Sequence, residues 1–188
     1  MVKVGFIVEG DSESIVISAP AFARFLNASG YELVHPVINA KGGGNLLPQH
    51  SEVFISQLQQ AGAEKICVLT DLEDAPSVNA VRQRIAHNDI DIAFIAVKAL
   101  EAWFLADTHA MRIWLRDDSF YEEFPEGTGT MPWERLREYG RQPGKKGTGN
   151  KVSFAKRMVA YYDFTLSGAA QHANCPSARE LVEWFAAH

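Results

Sequence analysis

Apolar residues gather in four runs of strand length, at 2–8, 31–38, 65–70 and 91–97. The first, third and fourth are nearly unbroken, the pattern of strands covered on both faces. Between them apolar positions recur at helical spacing, predicting helices over about 12–28, 45–61 and 76–88. Ser12, Asn45 and the Ala75-Pro76-Ser77 step are start signals, and Gly30 is a stop before the second strand. This alternation implies an α/β fold. We expect an open, mostly parallel four-stranded sheet of Rossmann-like type, with helices on both faces and right-handed crossovers.

A further helix is predicted over about 99–114, where Leu100, Trp103, Phe104, Ala110, Met111 and Trp114 form one apolar stripe. Asp107 falls inside that stripe. A carboxylate on a buried face needs a base, backbone N–H groups or a metal, and a structural role serves equally well. From 116 to 150 prolines and glycines dissolve the pattern, leaving one short helix over 132–139. Helical periodicity returns at 151–162 and 177–187. The expected organisation is an α/β domain over 1–116, followed by an irregular basic segment and C-terminal helices at 117–188, packed on the same core.

Composition adds limits. With 188 residues, 47% of them hydrophobic, the chain can build one core of ordinary size. The opening apolar run is too short to span a membrane and turns polar at Glu9 with no small-residue cleavage site, so we expect a cytoplasmic protein without a membrane partner. Neither Cys67 nor Cys175 has metal-ligand spacing, and Cys67 in an apolar run reads as a buried thiol. The six histidines (His35, His50, His87, His109, His172, His188) are scattered, and no Gly-x-Ser-x-Gly elbow occurs, so each reads as structural or solvated. Net charge is −5, which argues against a general nucleic-acid binder. Yet residues 135–157 hold eight basic residues against the single acid Glu138, a local +7 that leaves −12 elsewhere. An acidic body with one basic strip suits a metal site that also holds a polyanion; a solvated loop explains the strip as well.

In open parallel sheets ligands bind beyond the carboxyl ends of the strands, where strand order reverses. If the first and third runs are neighbours, that point brings together Glu9, Asp11 and Glu13 with Asp71, Glu73 and Asp74. Six carboxylates in one crevice repel one another and invite a cation, and hard oxygen donors suit Mg²⁺ or Mn²⁺. Glu9 ends its strand, and Asp71 and Glu73 share one side of an extended segment. Glu13 lies one helical turn beyond Glu9 and can reach back to it. For Asp11 and Asp74 a helix N-terminal role is the better reading.

These residues resemble the TOPRIM family. Val8-Glu9-Gly10-Asp11-Ser12-Glu13 looks like its first motif, a strand ending in glutamate and glycine, and Thr70-Asp71-Leu72-Glu73 looks like its second, usually Asp-x-Asp. Glu13 and Glu101-Ala102-Trp103 are most similar to OLD-type nucleases and to small stand-alone bacterial TOPRIM-like proteins. The resemblance covers about the first 110 residues, and Glu73 in place of aspartate is a departure from it. It implies metal-dependent phosphoryl transfer, most simply nuclease action on DNA or RNA. Glu9, Asp71 and Lys98 would be catalytic, and Glu9, Glu13, Asp71, Glu73 and Glu101 would hold Mg²⁺ or Mn²⁺. Lys41 before Gly42-Gly43-Gly44, together with Lys145, Lys146 and Lys151, would contact phosphate. A partner protein such as an ATPase is a further implication by family analogy. Two rivals belong to other classes: a receiver-type phospho-acceptor centred on Asp71, and a binding or accessory subunit that keeps the fold without turnover.

Overall fold

The computed structural model describes residues 1–187; His188 lies outside the described residues. The chain forms two compact units, Met1–Ile95 and a second that begins at Ala96. The division expected at 116 thus falls within the second unit, because the segment after 99 packs among the C-terminal helices.

In the first unit, β1 (Val2–Val8) is the central strand. It pairs in parallel with β2 (Tyr31–Leu33) and β3 (Ile38–Asn39) on one side and with β4 (Lys65–Asp71) on the other. Beyond β4 lies β5 (Ile92–Ala96). The sheet therefore has five strands and not four. The 31–38 run is interrupted at Pro36, which has no N–H to give the ladder. β2 pairs with Val2–Val4, and β3 rejoins the sheet at Ile7 and Val8.

Alternate β1 side chains serve opposite faces, as a pleated strand requires. Ile7 joins Ile55 and Leu58 of α3 (Pro48–Gln60), Val81 of α4 (Val78–Arg84) and Ile85 just after it in one core. Phe6 meets Phe22 of α2 (Pro20–Ala28) edge to face at 5.5 Å between ring centroids. Helices cover both faces, as expected. On the α3 side, a Cβ at Gly5 would stand 2.9 Å from Leu58 Cδ2 and 3.2 Å from Ala63 Cβ. That glycine lets α3 lie close on the strand.

Two helices expected to be continuous are broken. The 12–28 segment forms α1 (Asp11–Ile17) and α2, because Pro20 lacks an N–H and pushes Ala19 to extended backbone, φ −67° and ψ 141°. In the second unit, the segment expected as one helix over 99–114 forms α5 (Glu101–Ala106) and α6 (Thr108–Leu115). They are followed by α7 (Pro132–Gly140), α8 (Lys151–Tyr161), α9 (Leu166–Ala170) and α10 (Pro176–Ala187). All of α5 is buried, and Phe104 packs against Phe154 and Phe164 with ring centroids 5.7 and 4.8 Å away. Among the described residues no helix is long and apolar enough to cross a membrane.

Asp107 is the cause of the α5–α6 break, and its role is structural. Its Oδ1 accepts from the Ala110 N–H at 3.1 Å, capping α6, and its Oδ2 accepts from the Thr165 N–H at 2.9 Å. Burial raises its carboxyl above the ordinary value, opposed by those backbone bonds. The folded state therefore holds this proton more tightly than the unfolded chain. The stability Asp107 contributes is fullest below its unfolded pKa and is lost as pH rises through the raised one. Asp107→Asn does not titrate, so its deficit relative to wild type should be largest at acid pH and shrink as pH rises from the ordinary carboxylate range through the raised pKa. Thermal unfolding of both proteins across that range measures it; a deficit that grows with pH refutes it.

Candidate functional site

The register of β1 and β4 sets Val8 beside Leu69, so Glu9 and the Thr70–Asp71 pair leave the sheet side by side. From β1 the chain goes first to one side of the sheet and later, through β4, to the other, which makes this edge the switch point. Glu9 Oε2 accepts from the Thr70 hydroxyl and, at 3.1 Å, from the Asp71 N–H. One oxygen of the carboxylate is thus anchored by two donors.

The other oxygen faces the segment after β3. The Gly42 N–H donates to the Glu9 carbonyl at 2.8 Å, which brings Gly43 against the side chain. A Cβ on Gly43 would lie 3.1 Å from Glu9 Oε1. Glycine at this position keeps that oxygen uncrowded.

The loop between β4 and α4 forms the opposite wall. Leu72 and Ala75 pack on the core beneath it, and the Ala75 N–H closes a turn on the Leu72 carbonyl at 3.0 Å. Between them Glu73 adopts φ 47°, a left-handed conformation that costs a non-glycine residue roughly 1 kcal/mol or more. The turn leaves Glu73 and Asp74 exposed. With Glu9, Asp71 and Arg84 they line a cleft of about 400 Å³. Ser77 caps α4 by accepting from the Ala80 N–H at 3.1 Å, so the capping role expected for Asp74 belongs to Ser77.

Of the residues singled out in the sequence, Glu9, Asp71 and Glu73 come together here. Glu13 is buried in α1 beside Gly10 and does not line the cleft. Lys41, itself at φ 59°, pairs with Asp11 at 2.6 Å. In the second unit, Lys98 donates to the carbonyls of Thr128 and Thr130. Lys145 donates to the Leu115 carbonyl at 2.7 Å, and the Lys146 side chain is exposed. Lys151 pairs with Glu101 Oε1 at 3.2 Å; Glu101 is buried, and its Oε2 has no hydrogen-bond partner among the described residues.

Elsewhere the basic strip is largely engaged within its own unit. Arg135 bonds Glu122 at 2.8 Å and Glu138 at 3.1 Å, and lies over the Tyr139 ring. Arg137 pairs with Glu134, and Arg157 donates to the Gly147 and Thr148 carbonyls. Burial followed by Glu122 pushes the Tyr139 hydroxyl up to about 12. Both cysteines are buried, and burial pushes each thiol up. His87 bonds Glu52 and the buried His172 bonds the Glu122 carbonyl, both at 2.8 Å, while His35, His50 and His109 are exposed.

Sequence reasoning overlooked Thr70 as an anchor for Glu9, and it overlooked Arg84. A hydroxyl after Leu69, where the strand's apolar run ends, was the available signal for Thr70. Arg84 gave none, since its neighbours at 82 and 83 are also polar.

Among the described residues no three His, Cys, Asp or Glu side chains are grouped so as to enclose a metal ion. Mg²⁺ does not require such a cage. It keeps several waters and takes one or two carboxylates, completing its shell with substrate phosphate. Hard oxygen donors around an open cleft, with glycine beside Glu9 Oε1, fit that mode of binding.

Fold and site together define an α/β protein with a carboxylate-lined cleft at the switch point of a parallel sheet. No family model matches the chain, and no curated protein matches it. Among solved structures, the C-terminal region of the Burkholderia pseudomallei OLD protein aligns over 100% of both chains, at 18% identity and a TM-score of 0.49.

Proposed function

We propose that this protein is a divalent-metal-dependent phosphodiesterase of TOPRIM type, a nuclease acting on DNA or RNA through Glu9, Asp71 and Glu73. The observation that carries the reading is the half-anchored Glu9 carboxylate. Two donors hold Oε2, and Oε1 faces Gly43 in a cleft shared with Asp71, Glu73 and Asp74. In this reading Oε1 takes a proton from an attacking water or binds a cation.

Glu9, Asp71 and Glu73 are the residues that would hold Mg²⁺ or Mn²⁺. The chemistry such an ion supplies is activation of water and neutralisation of charge on the phosphodiester. The Glu73 arm is longer than the aspartate of the Asp-x-Asp pattern, and Asp74 beside it is a second candidate for the same duty. Action on nucleic acid and a partner such as an ATPase belong to the same proposal and rest on the resemblance alone.

Calorimetric titration with Mn²⁺ tests the reading. Wild type should bind, and a variant carrying Glu9→Ala and Asp71→Ala should not. Absence of metal-dependent heat from wild type at millimolar concentration would defeat it and favour the accessory-subunit reading.

A further inference from the structure

We infer that Arg84 is the anion anchor of the cleft, the residue that engages the non-bridging oxygens of a phosphate group held there. In naming a substrate contact for the cleft the inference rests on the phosphodiesterase reading, but its evidence is separate. Arg84 is the one cation among the described residues that line the cleft; the other charged side chains there are carboxylates. It ends α4 and is exposed, and no carboxylate of the described residues lies within ion-pair distance of it.

Its backbone, by contrast, is fixed. Ser77 caps the start of α4, and Val81 in the helix and Ile85 just after it, on either side of Arg84 along the chain, are buried in the core. A guanidinium on a fixed base can present paired N–H donors in a plane, the geometry that matches phosphate oxygens. The plainer role for Arg84 is to complement the helix C-terminal dipole. Arg82 lies in the same last turn and already serves that role, its Nε also donating to the Ala93 carbonyl at 3.0 Å. The dipole does not account for an arginine among four acids.

Charge sets the order of events. Carboxylates repel an approaching phosphate, and Arg84 alone does not offset them. Phosphate should therefore bind well only when a divalent cation neutralises the acids, with Arg84 taking the oxygens that the ion leaves.

The test is calorimetric titration of inorganic phosphate into wild type, Arg84→Gln and Arg84→Lys, each with and without Mn²⁺, beside a titration of Mn²⁺ alone. Wild type should bind phosphate in the presence of Mn²⁺, and Arg84→Gln should weaken that binding by about 10-fold or more. Arg84→Lys should fall between them, and Mn²⁺ affinity should hold or rise in Arg84→Gln, which loses a like charge. Phosphate affinity unchanged in Arg84→Gln overturns the anchor while leaving the metal reading in place. Failure of wild type to bind Mn²⁺ defeats the phosphodiesterase reading. In that case Arg84-dependent phosphate binding without metal still supports the anchor, and no phosphate binding at all overturns it.

Discussion

Changing Glu9 to glutamine is expected to lower Mn²⁺-dependent phosphodiester cleavage by about 100-fold or more, while the protein folds normally. The reason lies in the division of labour within one carboxylate. Glutamine keeps an oxygen that can accept from the Thr70 hydroxyl and the Asp71 N–H, so the side chain stays moored where glutamate was. Its amide nitrogen then stands at the position of Oε1 beside Gly43. That atom donates; it neither accepts a proton from water nor binds a cation. Initial rates on single-stranded and duplex substrates, set beside a thermal unfolding curve, separate loss of chemistry from loss of fold. Equal rates for the two proteins would remove Glu9 from the reaction.

Lys151→Met is expected to destabilise the protein by about 3 kcal/mol, and by more than Glu101→Gln does. The Glu101 side chain is 4% exposed, and its Oε1 meets the Lys151 ammonium at 3.2 Å. Its Oε2 is buried and unbonded among the described residues. Removing the ammonium leaves a buried carboxylate without a counter-charge, and that loss typically costs 3–5 kcal/mol. Lys151 is 50% exposed, which places the effect at the lower end. Glu101→Gln removes the buried charge itself and returns a half-exposed lysine to water, so it costs less. Urea unfolding of both variants ranks them. The reverse order, or no effect of Lys151→Met, would return Lys151 to the pool of lysines available to phosphate.

What could be read from the sequence followed from burial on both faces. The apolar runs at 2–8 and 65–70 foretold β1 and β4 almost to the residue, and with them the adjacency of Glu9 and Asp71. Breaks were harder to see, because the residues that make them also fit the patterns they interrupt. Pro20 sits among helix formers and Asp107 in an apolar stripe, yet one begins a new helix and the other caps one. The contacts of the basic strip were hidden for a different reason. Local charge density says nothing of partners distant in sequence, and Lys145 and Lys151 met theirs 30 and 50 residues earlier, at Leu115 and Glu101. Arg84 lay beyond reach because only the packing of Val81 and Ile85 decides which way its side chain leaves the helix.

The interruption between β2 and β3 also bears on how the protein fares at high concentration. A sheet edge invites another chain to add a strand when it offers a long, flat row of unpaired backbone groups. Here the edge beside β1 consists of a three-residue strand and a two-residue strand, separated by the Val34–Val37 excursion that carries Pro36. No register lets an incoming strand bond along its whole length. The break between β2 and β3 thus leaves that side of the sheet a poor template for aggregation.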